Sequence, residues 1–283
     1  MQLLTIVIAL GFLQVWGANN PLHKDQWFRS LVGRLEQSSL GKKFPHSLSL
    51  FAVLSVVIIL GLAIYLLTHP SSWLSGISLP ISVILLLYSL GRGEFSEIVS
   101  EYTKACYIED WASAIERASP LGVITDDLNE NDWSALHERV LDEAGYRGFE
   151  RMFAVLFWFV LLGPLAAIAY RLVFLFTQEK PSDSLSSRIL WAIEWPAVRL
   201  LGLSFSFTGN FVGCYNRLRE SLFCGKSSTR VVLSRMLLGA LSVEDDLTQT
   251  CEVTRKELNL VNRLYARTLW FWLGALAVMS VLS

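Results

Sequence analysis

Apolar residues along this chain come in blocks, separated by stretches that carry nearly all of the charge. A hydrocarbon core roughly 30 Å thick takes about 20 apolar residues in helical form, so blocks of that size mark candidate membrane spans. Three qualify: Leu48 to Leu67, Trp73 to Leu90 and Met152 to Phe176. They hold no acidic or basic residue except Arg171, whose position predicts a guanidinium reaching the far interface while its stem stays in lipid. Two shorter blocks at the ends, Met1 to Trp16 and Leu269 to Leu282, predict further segments; the first lacks the basic n-region of a signal peptide. A sixth candidate, Leu190 to Val212, contains Glu194, Pro196 and Arg199, and predicts a crossing or deeply embedded helix rather than a surface one.

Between the second and third of these clear blocks the period changes. Phe95, Ile98, Tyr102 and Cys106 recur at spacings of three and four, which predicts an amphipathic helix. Asp110 is placed to cap a second helix that ends by Pro120, and Asn131 or Asp132 a third through Leu136, Val140 and Leu141. Near the carboxyl end, Leu258, Val261, Leu264 and Tyr265 fall on one side of a helix from about Thr254 to Arg267 that runs on into the last apolar block. The pattern predicts an all-α, polytopic helical membrane protein with four to six membrane segments and a helical cytoplasmic insert. Its parts are residues 1–91, with segments at about 1–17, 48–67 and 73–91; the insert 92–151; and 152–283, with segments at 152–176, 190–213 and 269–282 around a basic stretch at 214–268.

Composition agrees with this class. Of 283 residues, 53% are hydrophobic and 17% charged, against about 25% charged in an ordinary soluble domain. The formal net charge of −1, without a Lys/Arg block, gives no basic stripe for nucleic acid. The lipid bilayer is the first expected partner. Lys and Arg also orient the chain: the stretch 17–47 holds Lys24, Arg29, Arg34, Lys42 and Lys43, the linker 69–72 none, so the former is expected in the cytoplasm. The insert then lies in the cytoplasm too. It is acidic, with fourteen Asp/Glu against six Lys/Arg.

Catalytic chemistry finds little purchase. The four cysteines form no C-x-x-C pair, and the four histidines no HExxH, so neither a metal site nor a disulfide framework is expected. The loop ITDDLNENDW lacks the central glycine and spaced ligands of a calcium loop. CGKSST at 224–229 resembles the end of a phosphate-binding loop, but the glycine required five residues before Gly225 is Glu220. Glu244, Asp245 and Asp246 are read as solvated helix-capping residues rather than magnesium ligands. No cofactor is expected.

Four stretches carry a resemblance: LLLYSLGRGEFSEIVSEYTKA (85–105), EDWASAIERA (109–118), FAVLFWFVLLGPLAAIAYRL (153–172) and EWPAVRLLGLSFSFTGN (194–210). In this order the chain resembles AmpE, a family of inner-membrane proteins of Gram-negative bacteria linked to control of β-lactamase expression. The resemblance implies a regulatory or sensory protein, paired with cell-wall recycling, whose partners are a cell-wall-derived ligand or a cytosolic regulatory protein. AmpE is also distantly similar to the CobD/CbiB membrane synthases of cobalamin assembly. Those carry Arg-Asp-Thr in the insert, Glu-Asn-Thr-x-Asp-Gly before the span and Asn-Thr-x-Asp after it. Here the approach to the span reads Glu143 to Glu150 (EAGYRGFE) and the exit Leu172 to Phe176 (LVFLF).

Two functions compete on this reading. A protein acting by ligand or partner binding, not an enzyme, is preferred; the alternative is a membrane enzyme of CobD/CbiB-like descent with altered ligase or amide-forming chemistry. A transporter needs broken helices at the midplane, which Gly163-Pro164 and Trp195-Pro196 supply, but no internal repeat accompanies them. The expected ligand site lies at the cytoplasmic membrane boundary, where Arg92, Glu94, Arg151, Glu194, Arg199 and Arg263 are predicted to converge. Arginines there suit carboxylate or phosphate. The oligomeric state is not specified by the pattern.

Overall fold

The computed structural model describes residues 2–16, 25–37, 55, 59, 61, 75–91, 95–125, 127–179, 184–222, 227–242 and 251–282. Their regular structure is all helical, with no strand among the described residues, as the periodicity predicts. Most of the block 48–67 lies outside them, as do Arg92, Glu94, Cys224 to Lys226 and Glu244 to Asp246. The helices gather into two compact units, one of Met1–Arg92 with Ala154–Glu194, the other of Gly93–Phe153 with Trp195–Ser283.

In the first unit, α1 (Gln2–Trp16), α3 (Ser75–Ser89), α7 (Ala154–Leu162) and α8 (Pro164–Glu179) pack around Ile6, Ala9, Leu86, Phe159 and Phe176, all buried. A short amphipathic helix, α2 (Gln26–Gln37), turns Phe28 and Val32 inward.

The block 152–176 departs from expectation. In place of one uninterrupted span there are two helices, α7 and α8, packed against each other on either side of Gly163. Gly163 has φ +88°, a conformation that costs a glycine little and other residues more. Its N–H donates to Phe159 O, closing α7, and its own carbonyl accepts from Ala166 N and Ala167 N, opening α8. Pro164 follows as the first residue of α8, where its missing N–H costs nothing. The turn also corrects the placement of Arg171. Instead of reaching a far interface it is 8% exposed, and its Nη2 lies 3.6 Å from Asp25 Oδ2, a residue of the stretch expected on the cytoplasmic side.

The second unit holds the insert. Helix α4 (Phe95–Tyr107), α5 (Trp111–Ala118) and α6 (Trp133–Gly148) follow the predicted order, with Asp110 and Asp132 as the caps: each accepts a backbone N–H three residues on, from Ser113 and Ala135. Beyond α6 the chain makes one π turn, Phe149–Phe153. Helix α9 (Ser184–Thr208) begins in the first unit and ends in the second. It starts six residues before the predicted 190–213 segment and stops at Gly209-Asn210, where α10 (Phe211–Leu222) begins. Helix α11 (Thr229–Leu241) is capped by Ser228, the second serine of the CGKSST fragment, whose Oγ accepts from Val231 N at 3.4 Å. Gly213 and Gly239 let α10 and α11 approach until a Cβ on Gly213 would stand 2.5 Å from the Gly239 carbonyl oxygen.

Helix α12 (Cys251–Leu282) is continuous through 32 residues, joining the predicted amphipathic stretch to the last apolar block. Leu258, Val261, Leu264 and Tyr265 are buried on one side, as their spacing predicts. From Glu252 to Leu282 it is the one helix among the described residues long and apolar enough to cross a membrane.

Candidate functional site

The amino-terminal half of α12 carries two stripes. One is the apolar face just described; the other, at spacings of four, three and one, is Arg255, Asn259, Asn262 and Arg263. Helix α4 meets it with a polar edge of its own, Ser100, Thr103, Lys104 and Tyr107, again at helical spacing. The facing edges leave a hollow of about 390 Å³, lined by these α4 residues with Val99, Arg255, Asn259 and Asn262. A second hollow of about 430 Å³ continues along α12 past Lys256, Leu260 and Arg263. Arg255 and Asn259 line both, so the two hollows adjoin as one groove along α12, walled by α4 in its first part and bordered by α12 alone where Arg263 lies.

The groove is cationic, but its cations are not equivalent. Lys104 Nζ lies 2.7 Å from Glu101 Oε1, and the hydrogen bond and charge of Lys104 hold the Glu101 carboxyl below its ordinary range. Lys256 Nζ lies 2.9 Å from Glu252 Oε1. Arg255 instead lays its guanidinium over the Tyr107 ring, 5.2 Å from the centroid. Among the described residues neither Arg255 nor Arg263 makes an ion pair. Both are exposed, so their donors face solvent and any ligand in it.

Of the residues predicted to converge, Arg263 lines this groove. Arg92 and Glu94 lie outside the described residues. Arg151 does not line it: its Nε stands 3.9 Å from Glu150 Oε1 in the π turn, where Arg147 Nη1 approaches the same oxygen at 3.5 Å. Arg147 also donates from Nε to Leu121 O at 2.9 Å. Arg199 has structural employment. It donates to Trp195 O at 3.1 Å and to Ser221 O at 2.9 Å, the second a carbonyl in the last turn of α10, and it stacks on the Trp195 ring at 4.2 Å. Glu194 is 2% exposed and accepts from Tyr170 O–H at 3.1 Å within the first unit.

Sequence reasoning passes over a second polar cluster, between α6 and α11. Arg230 pairs with Glu143 and lies over the Tyr146 ring at 4.5 Å, while Ser234 Oγ donates to Asp142 at 2.5 Å. Burial raises the Asp142 carboxyl above its ordinary range and lowers the Arg230 guanidinium below its own. Glu143 Oε2 is buried without a hydrogen-bond partner. On the other face of α6, the hydroxyl of Tyr102 meets His137 Nδ1 at 2.5 Å, and burial pushes the imidazole down to about 4. The only foretelling signal is that α6 sets acidic residues at 142 and 143 on a helix otherwise packed inward; nothing local names Arg230, 87 residues away, as the partner.

The model of the family described as "Regulatory signalling modulator protein AmpE" matches residues 1–265. The chain belongs to the AmpE family. No curated protein and no solved structure matches it. Both walls of the groove, residues 99–107 and 255–263, fall inside the stretch that defines AmpE, whereas the carboxyl-terminal part of α12 lies beyond it.

Proposed function

We propose that this AmpE-family chain is a multi-pass protein of the bacterial inner membrane that reports a cell-wall-derived ligand or a cytosolic partner to β-lactamase expression, acting by binding rather than turnover. The α4–α12 groove is its input site, and the observation that carries the reading is the pair of arginines, Arg255 and Arg263, left open to solvent on one helical stripe. An exposed guanidinium that neither caps a helix nor closes an ion pair, with at most a surface ring contact such as that of Arg255 on Tyr107, contributes little to the fold, and it recognises carboxylate or phosphate well.

Membrane embedding is supported by two surfaces. The distal half of α12 exposes Trp270, Phe271, Val278, Met279, Val281 and Leu282. Near it Phe207 stacks on Phe271 at 5.7 Å, and Phe211 on Tyr215 at 5.5 Å, with all four rings exposed. Apolar and aromatic surface of this extent marks contact with lipid or protein. On this reading residues 92–151 and the basic half of α12 face the cytoplasm, where anionic headgroups attract Lys and Arg.

The test replaces Arg255 and Arg263 singly and together by Ala at the native locus, then measures β-lactamase after induction and the protein level in membranes. Altered induction at normal abundance is expected. Unchanged induction with the double variant removes the groove from signalling. Turnover of a nucleotide or amide substrate by the purified protein returns the reading to an enzyme of CobD/CbiB-like descent.

A further inference from the structure

The groove has a charge spacing as well as a sign. Arg255 and Arg263 are eight residues apart on one helix, which sets their stems about 12 Å apart along its axis. Asn259 and Asn262 stand between them, and Ser100, Thr103 and Tyr107 across from them. Asparagine amides both donate and accept, and hydroxyls do too, so the middle of the groove suits amide or hydroxyl groups. Lys104 and Lys256 are in ion pairs with Glu101 and Glu252, so among the described residues the lining cations outside an ion pair are the two arginines, Arg255 near enough to Glu252 to help lower its carboxyl. We propose that this groove binds an elongated, soluble ligand with an anionic group at each end, about 12 Å apart, joined by an amide- or hydroxyl-bearing linkage.

The ligand class rests on the reading of the groove as an input site and narrows it. Arg255 lies thirteen residues before Thr268, about 20 Å along the helix, so both arginines cannot meet the headgroup layer that the apolar half of α12 would enter. Val99 and Leu260 are the only aliphatic side chains among the groove's lining residues. Two separated guanidinium groups also penalise a ligand with one charge, since the second site gains nothing from it.

Succinyl-diglycine supplies the probe: two carboxylates at the ends of a chain containing two amides. Full-length protein in nanodiscs of zwitterionic lipid is titrated with this dianion, with the same compound amidated at one end, and with orthophosphate. Saturable one-to-one binding of the dianion is expected, at least about tenfold tighter than the amidated form or phosphate. Arg255→Ala and Arg263→Ala each weaken it about tenfold. The Lys variants at the same positions weaken it less, and none shifts the melting temperature. Equal affinity for the dianion and its monoamide overturns the proposal, as does binding indifferent to both Ala variants. Loss of binding in nanodiscs containing anionic phospholipid assigns the groove to a headgroup and overturns it too. If the dianion does not bind while the Ala variants still alter induction, the ligand class is wrong and the input site stands; if binding follows the arginines but induction does not, the site binds without signalling.

Discussion

Two of the places in the second unit where charged side chains gather are built differently. Between α6 and α11, Arg230 is held by Glu143 and by the face of Tyr146, and Asp142 by Ser234. Along the α4–α12 groove, Arg255 and Arg263 reach no carboxylate among the described residues. The same side chain thus serves two ends. Surrounded by partners, an arginine fixes how two helices meet; left at a polar hollow, it keeps its donors in solvent. Arg199 belongs to the first kind, although its setting beside Glu194 in an apolar helix made it look like the second.

The comparison breaks most visibly at Arg230. Arg230→Ala leaves Glu143 buried without its counter-charge and is expected to lower stability by about 2 kcal/mol, toward the low end because half of the arginine stays in water. Thermal unfolding in detergent micelles measures it, and the double variant Glu143→Leu with Arg230→Met should recover most of the loss. At the same interface Gly145→Ala drives a Cβ to 2.5 Å from Leu237 Cδ1, a side chain 4% exposed with little room to yield. A loss of about 1–2 kcal/mol is expected, read by the same melts.

His137 sharpens the contrast through pH. Its imidazole titrates at about 4 in the folded protein against about 6.5 unfolded, so the folded state binds fewer protons between those values. Stability is therefore full above about 6.5 and falls as the pH drops toward 4. Melts across that window should slope for the native chain and flatten for His137→Phe. The smallest effect is expected in the groove: Arg255→Ala and Arg263→Ala should leave the melting temperature unchanged. A clear drop for either would make the groove another architectural contact and erase the distinction.

What the sequence disclosed follows from distance along the chain. Caps and helical faces are local, so Asp110, Asp132 and the Leu258-Val261-Leu264-Tyr265 face are legible in the sequence alone. Glu143 and Arg230 are 87 residues apart and α4 and α12 about 150, and periodicity says that a face is covered without saying by what. Arg263 was picked out because it lies near an apolar block; its companions Arg255, Asn259 and Asn262 were readable as a polar stripe opposite the apolar one. Gly163-Pro164 was visible as an interruption, but hydropathy cannot distinguish a kink from a turn that starts a second helix, and here the positive φ at Gly163 decides it.

The unbroken run of α12 has a mechanical consequence. Thirty-two residues make a rod about 48 Å long, with the groove at one end and the exposed aromatic surface of Trp270 and Phe271 toward the other. A tilt of about 5° about the groove end would sweep the far tip through about 4 Å, by the geometry of such a rod. Any tilt imposed at the groove end would therefore be carried to the apolar tip, since the helix has no break between them to absorb it.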